Sequence, residues 1–383
     1  MPKIVAVDPF AVNLGRGNMV IVRIRCDDGM EGYGEGTLPH KARAIMGAVQ
    51  DFAEYLVGQD DSQIERHWQV LYRNSFQRGG VILSTALSAI DQALWDIAGK
   101  RLDRPVWSLM GGAVRDRIWL YTHPGRRAND PRGLVENCLE RIDEGYTAIK
   151  LGIPGTPELV RDPRKAAETH DNIAAVRDAV GPDIALMVDA HGKSTPTVAL
   201  EIARAIAPLD LLFFEEPVPP RNVDALLQVS RSCPIPVATG ERMYSRWDFR
   251  TTIESQAVSI LQPDLGHAGG ISETRRIAAA AETYFMQIAP HNPRGPGVTL
   301  ASLHIGACTP NFLIQESLIP PGGQSEIWDE MLVEPLNIVD GYVDLPRAPG
   351  IGIRFDESLA ERFPFRPADT QHPVLKDGAV GDW

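Results

Sequence analysis

Cysteine is scarce in this chain: Cys26, Cys138, Cys233 and Cys308 are scattered through 383 residues with no CxxC pair. That usage excludes a disulfide-stapled scaffold and a cysteine-built zinc site, and leaves buried free thiols. Positive charge is also short. The 38 Lys and Arg face 50 Asp and Glu, a net charge of −12 at pH 7, with no basic block to offset it. Nucleic acid and anionic membrane surfaces are therefore excluded as partners. No apolar run approaches the roughly 18 residues of a membrane span, and MPKIVAVDPF lacks the charged-then-apolar order of a secretory signal. These absences point to a cytoplasmic protein acting on a small molecule. Beyond a strand–helix period, the chain shows no internal repeat.

The composition is otherwise that of an ordinary globular protein, 44% apolar and 23% charged. The length suffices for a barrel of about 250 residues plus a smaller unit. Residues 1–118 read as strands followed by helices. NMVIVRIRCDDGMEGYGEGT alternates apolar and polar side chains around Asp27, Asp28 and Gly29, the pattern of an antiparallel hairpin. Helical periodicity follows over Ala42 to Leu56 and, most strongly, over Ser84 to Lys100. Asp91 and Asp96 in that helix are expected to be solvated or paired with neighbouring basic groups. The glycine-bearing segments 13–18 and 74–80 are expected to be mobile loops of the kind that close over sites.

From about Ile118, short apolar strands alternate with amphipathic helices, the signature of parallel α/β architecture. IWLYTH, AIKLG, IALMVDAH, LLFFEEP, PVATGE, VSILQPD, MQIAPH and FLIQE supply eight strands. The pattern predicts a (β/α)8 barrel over 119–320, with a doubly wound open sheet as the alternative it also permits. In either fold the strand C-terminal ends carry the chemistry, and the polar residues fall there: Lys150, Asp189, His191, Glu215, Glu241, Asp264, His291 and Glu316. Residues 321–383 complete the barrel and run back to the first unit, with a short helix near Glu357 to Phe363.

LMVDAHGK places Asp189 and His191 two residues apart on a strand, where side chains share a face. Glu215 and Glu241 follow at equal steps of 26 residues, the length of one βα unit, so the three carboxylates should stand side by side. Converging hard oxygen donors are what Mg²⁺ prefers when it keeps positions open. Glu216 should face the other way. Asp264 and His291 end the next two strands, and a carboxylate beside an imidazole raises its pKa and makes it a better base. His267 reads as structural, as do His40, His67, His170, His304 and His372.

The motifs EGYGEGT, SAIDQALWDIAGK with RPVWSLMGG, VDAHG, FFEEP, TGER, QPDLGHAGGI, APHNPRGP and FLIQES span nearly the whole chain. Together they resemble the mandelate racemase branch of the enolase superfamily, and within it the galactonate dehydratase-like acid-sugar dehydratases. The resemblance implies a modified barrel with an α+β capping domain formed by both termini, Mg²⁺, and a homo-oligomer. It implies Asp189, Glu215 and Glu241 as metal ligands, Asp264 and His291 as a basic dyad, and Lys150 facing the substrate carboxylate. Glu316 would donate to the enolate oxygen, which requires a raised pKa. Racemases of this branch carry Lys-x-Lys on the second strand; here it is Lys150, Leu151, Gly152. The opposite-face base is missing. The dehydratase-like histidine after the first ligand is present as His191, the expected acid for the departing hydroxyl. The implied activity is dehydration of a galactonate-type aldonate to a 2-keto-3-deoxy acid. An epimerase or cycloisomerase, or a silent sugar-acid-binding protein, are the alternatives. His123, Arg294, Arg16, Arg126 and Arg127 are candidates to meet substrate hydroxyls.

Overall fold

Eight short strands close into a ring because each buries one face inside it and the other under helices. A computed structural model describes all residues except 16, 75, 126–130, 155–161, 163, 319–325, 368–373, 376, 382 and 383. Arg16, Arg126, Arg127 and His372 thus lie outside the described residues, as do parts of both segments expected to be mobile loops.

The N-terminal unit is an antiparallel sheet of β1 (Ile4–Asn13), β2 (Asn18–Cys26) and β3 (Glu31–Glu35). It is packed by α1 (Ala42–Leu56), α2 (Ile64–Arg73) and α3 (Val81–Arg101). β1 was not evident from sequence: Pro9 interrupts it, which an edge strand tolerates. By length and hydropathy, α3 could cross a membrane, contrary to the reading that no such run exists; 72% of its apolar window is buried inside the protein. Asp91 and Asp96 on it are also buried. Asp96 pairs with Lys100 as expected, while Asp91 is buried and, among the described residues, accepts from Ser272 and makes no ion pair.

A short helix α4 (Val106–Leu109) leads to the barrel strands β4 (Arg117–Tyr121), β5 (Ala148–Gly152), β6 (Ala185–Asp189), β7 (Leu211–Glu215), β8 (Val237–Thr239), β9 (Ile260–Leu261), β10 (Gln287–Ile288) and β11 (Gln315–Glu316). The helices between them are α5 (Pro131–Asp143), α6 (Lys165–Val180), α7 (Pro196–Ile206), α8 (Val223–Ser230), α9 (Arg246–Glu254), α10 (Gly270–Glu282) and α11 (Pro296–Cys308). β5 to β10 pair in chain order, all parallel. Thr122 bridges Ile149, Phe312 bridges Ile288, and β11 pairs with β4, again in parallel. The ring is therefore closed, which decides for the barrel over the open sheet.

Tyr121, Ala148, Met187, Phe213, Ala238 and Ile260 from β4 to β9, with Ala289 and Ile314 flanking β10 and β11, fill the inside with large and small side chains. They make an apolar floor. After the ring come α12 (Glu326–Met331), β12 (Tyr342–Asp344), antiparallel to β4, and α13 (Ser358–Arg362). The C-terminal segment then meets the N-terminal unit: the Phe355 ring lies 5.2 Å from Phe10, and Asn18 Nδ2 donates to the Arg366 carbonyl at 2.7 Å. All four cysteines are free thiols, with Cys26 and Cys138 buried.

Candidate active site

Side chains two residues apart on a strand share a face, so the positions directly above the floor are His123, Lys150, Asp189, Glu215, Gly240, Gln262, His291 and Glu316. Seven of these eight are polar. The apolar layer thus ends one step below the C-terminal mouth, and a polar layer begins.

Asp189 stands in register with Gly152 on one side and Glu215 on the other. Glu241, just past β8, completes a cluster in which one oxygen from each carboxylate lies within 4.8 Å of the others. Glu216 takes no part: its backbone is left-handed (φ 43), and its carboxylate accepts from Thr239, the Gly240 N–H and Arg242. Lys150 Nζ donates to both oxygens of Glu215 at 2.7 and 2.8 Å, and lies 3.1 Å from Glu316 and 3.6 Å from Asp189. Burial works against its charge, but Glu215 and Glu316 hold the ammonium pKa well above its ordinary value. Burial, with the charges of Asp189, Glu316 and Glu241, pushes Glu215 well above the carboxylate range against Lys150's pull. Hard donors on neighbouring strands, with repulsion remaining after Lys150, fit Mg²⁺ or a similar divalent cation.

Opposite stands the imidazole. His291 Nδ1 lies 2.9 Å from Asp264 Oδ2, and Nε2 lies 3.0 Å from Glu241 Oε2. Burial opposes protonation, yet Glu241, Glu316 and Asp264 raise the pKa well above its usual value. Behind the pair, Thr85 Oγ1 donates to the Val81 carbonyl and so accepts from His267 Nδ1, at 2.8 Å. His267 Nε2 is left to accept from Arg294 at 3.0 Å. Burial pushes His267 down to about 4, so it stays neutral and structural. Arg294 is turned inward, 3.7 Å from Asp264.

Two expectations change. His191 does not reach the site by strand alternation, because β6 ends at Asp189. It sits in a left-handed turn (φ 51), its N–H donating to Asp189 Oδ1 at 2.7 Å and its Nε2 3.2 Å from Asp189 Oδ2. A non-glycine residue there carries backbone strain. Burial lowers its pKa and outweighs Asp189 and Glu241, so it is not a standing imidazolium. Nor is Glu316 raised. Burial acts in that direction, but Lys150, His291 and His123 hold it well below the usual range. It is an acceptor, taking the Asn292 N–H at 2.6 Å and pairing with His123.

Gln262 and Asn292 were not singled out from sequence. Gln262 Nε2 donates to Glu215 at 2.7 Å, and its place two residues before Asp264 was the available signal. Asn292 bonds Thr299 at 2.8 Å, locking the segment after His291.

Residues 133–359 match the family described as Enolase C-terminal domain-like, and residues 4–111 match the Mandelate racemase / muconate lactonizing enzyme N-terminal domain. The chain is 37% identical over 369 residues to a D-galactonate dehydratase of Variovorax paradoxus, covering 95% of this chain and 96% of that one. It is 36% identical over 408 residues to a D-galactonate dehydratase family member of Streptomyces bingchenggensis, covering 99% and 98%. Among solved structures, a member of the enolase superfamily from Salmonella Typhimurium superposes with a TM-score of 0.88 at 31% identity, covering 95% and 99%. A mandelate racemase/muconate lactonizing enzyme-like protein from Roseovarius sp. does so with 0.88 at 33%, covering 96% and 98%.

Proposed function

Since the chain belongs to the mandelate racemase / muconate lactonizing enzyme family of the enolase superfamily, we propose that it is a hydro-lyase that dehydrates an acid sugar. The first candidate is a galactonate-type aldonate, with a 2-keto-3-deoxy acid as product. The observation that carries this reading is the pairing of His291, on Asp264, with His191, on Asp189, across one acidic cluster, while Gly152 stands where a second lysine, as opposite-face base, would be needed.

Asp189, Glu215 and Glu241 would hold a divalent cation, which when bound would neutralise charge on the substrate carboxylate and offset the pull of Glu241 on His291. His291, still held by Asp264 at Nδ1, takes that proton on Nε2. Lys150 donates to the oxygen on which charge builds. His191, after taking a proton from solvent, gives it to the C3 hydroxyl, which leaves as water as the enolate electrons form the C2–C3 double bond, and the enol tautomerises to the 2-keto-3-deoxy acid; burial disfavours the charged form of His191, which makes that form a stronger acid. Glu316, being ionised, is assigned to holding Lys150 and His123 rather than to donating to the enolate oxygen. His123 and Arg294 are proposed to shape the substrate side of the pocket, His123 at the rim and Arg294 through His267 and Asp264.

The test is a screen of the protein with Mg²⁺ against aldonates and aldarates, reading 2-keto-3-deoxy acid as its semicarbazone. One compound turned over by the wild type and not by His191→Asn supports the reading. C2 deuterium exchange with no keto-acid from any compound would replace it by epimerisation or cycloisomerisation.

A further inference from the structure

Two helices begin just behind the dyad, and neither caps itself. α11 starts five residues after His291, following Gly295, which has no side chain to offer. The N–H groups of Gly295, Gly297 and Val298 donate instead to Glu35, at 3.0, 3.0 and 3.2 Å. Glu35 is the last residue of β3, in the N-terminal unit, and is fully buried. It also accepts from Thr37 Oγ1 at 2.6 Å, and Gln92 clasps its backbone on both sides. A Cβ on Gly295 would come 2.8 Å from Glu35 Oε2, and one on Gly297 would come 2.8 Å from Glu35 Cβ. The two glycines make room for this carboxylate.

The segment 291–298 is therefore pinned four times. His291 rests on Asp264, Asn292 on Glu316, Arg294 on His267, and the first turn of α11 on Glu35. The first three anchors belong to the barrel. The fourth comes from the other domain, and a carboxylate at a helix N-terminus with three N–H donors is a strong one.

We propose that Glu35 is a positioning residue for the reaction, through which the N-terminal domain sets where His291 stands over the acidic cluster. This rests on the reading of His291 as the base. Replacing the carboxylate takes away its charge and one of the two oxygens that hold three buried N–H groups and frees the end of the segment, so the imidazole loses its aim, while Asp189, Glu215 and Glu241 lie outside that segment.

The test uses Glu35→Gln and Glu35→Asp in the full chain, with two readouts. In hydrogen–deuterium exchange, peptides covering 291–299 should exchange faster in Glu35→Gln than in the wild type, while α7 peptides stay unchanged. In turnover of the wild-type substrate, kcat per folded enzyme should fall roughly 100-fold with KM within about threefold, and Glu35→Asp should recover part of it. Unchanged exchange at 291–299 overturns the anchor. Faster exchange with kcat per folded enzyme within twofold of wild type overturns the positioning role. Should Glu35→Gln not fold, Glu35→Asp carries both readouts in the same sense. The base assignment is checked apart by His291→Asn: turnover surviving that change sinks the reaction reading, while the exchange pattern still decides the anchor.

Discussion

Thr195 and Asn222 cap the helices that follow β6 and β7 from within their own first turns, accepting from Val198 and Ala225. The helices that follow β9 and β10 start at Gly269 and Gly295 and receive Asp91 and Glu35 from another domain. Asp189 and Glu215 thus stand on locally capped βα units, whereas Asp264 and His291 stand on units finished only when the N-terminal domain docks. On the proposed roles, charge gathering and proton transfer would depend on different parts of the chain, and should be separable.

The largest effects test that separation at the site itself. Asp189→Asn and His291→Asn should each lower turnover by about 10³-fold or more. Mg²⁺ should raise the melting temperature of wild type and of His291→Asn, through ligand linkage, and leave Asp189→Asn unmoved. A lost Mg²⁺ response in His291→Asn would mean the two halves are one unit. Next, His191→Asn should cut keto-acid formation by roughly 100-fold or more yet keep C2 proton exchange with solvent; loss of both would remove its role as a separate acid.

A stability effect comes third. Burial, against its bonds to Ser272, raises Asp91 to about 7, while in the unfolded chain an Asp titrates near 4, at about its reference value. The fold binds this proton more tightly, so the group's contribution to stability is full below about pH 4 and is lost as pH rises through about 7. Asp91→Asn has no such titration. Its unfolding free energy, from urea melts at pH 5 and pH 8, should fall less with pH than the wild type's, by on the order of a few kcal/mol. Parallel pH slopes would refute the assignment. Smallest of all, Thr195→Ala and Asn222→Ala should each cost about 1 kcal/mol and leave kcat alone, in contrast to Glu35. A kcat loss from either local cap would erase the distinction between the two sides.

The same division runs through what could be read before the fold was known. Asp189, Glu215 and Glu241 announce themselves because one βα period separates each from the next, and parallel strands turn equal spacing into adjacency. Lys150 and Glu316 follow from strand ends alone. The placement of His191 does not, because a left-handed turn replaces the alternation that its spacing implied. The charge state of Glu316 could not be foreseen either, since it is set by Lys150, His291 and His123, which come from three other strands. Asp91 reads as solvated or paired with a neighbouring basic group because nothing within one helix reveals a partner 181 residues away. Glu35 was unseen for the same reason: its donors lie 260 or more residues on, and they are backbone N–H groups, which no side-chain motif marks.

Gly152, in register with Asp189 at the mouth of the barrel, has no described atom within 4 Å of where a Cβ would be, and its backbone conformation suits any L residue. Evolutionarily, that is a vacant socket facing the acidic cluster. Among the described residues a side chain installed there would displace no neighbour, so the barrel mouth beside Asp189 could gain a functional group while the rest of the scaffold stays as it is.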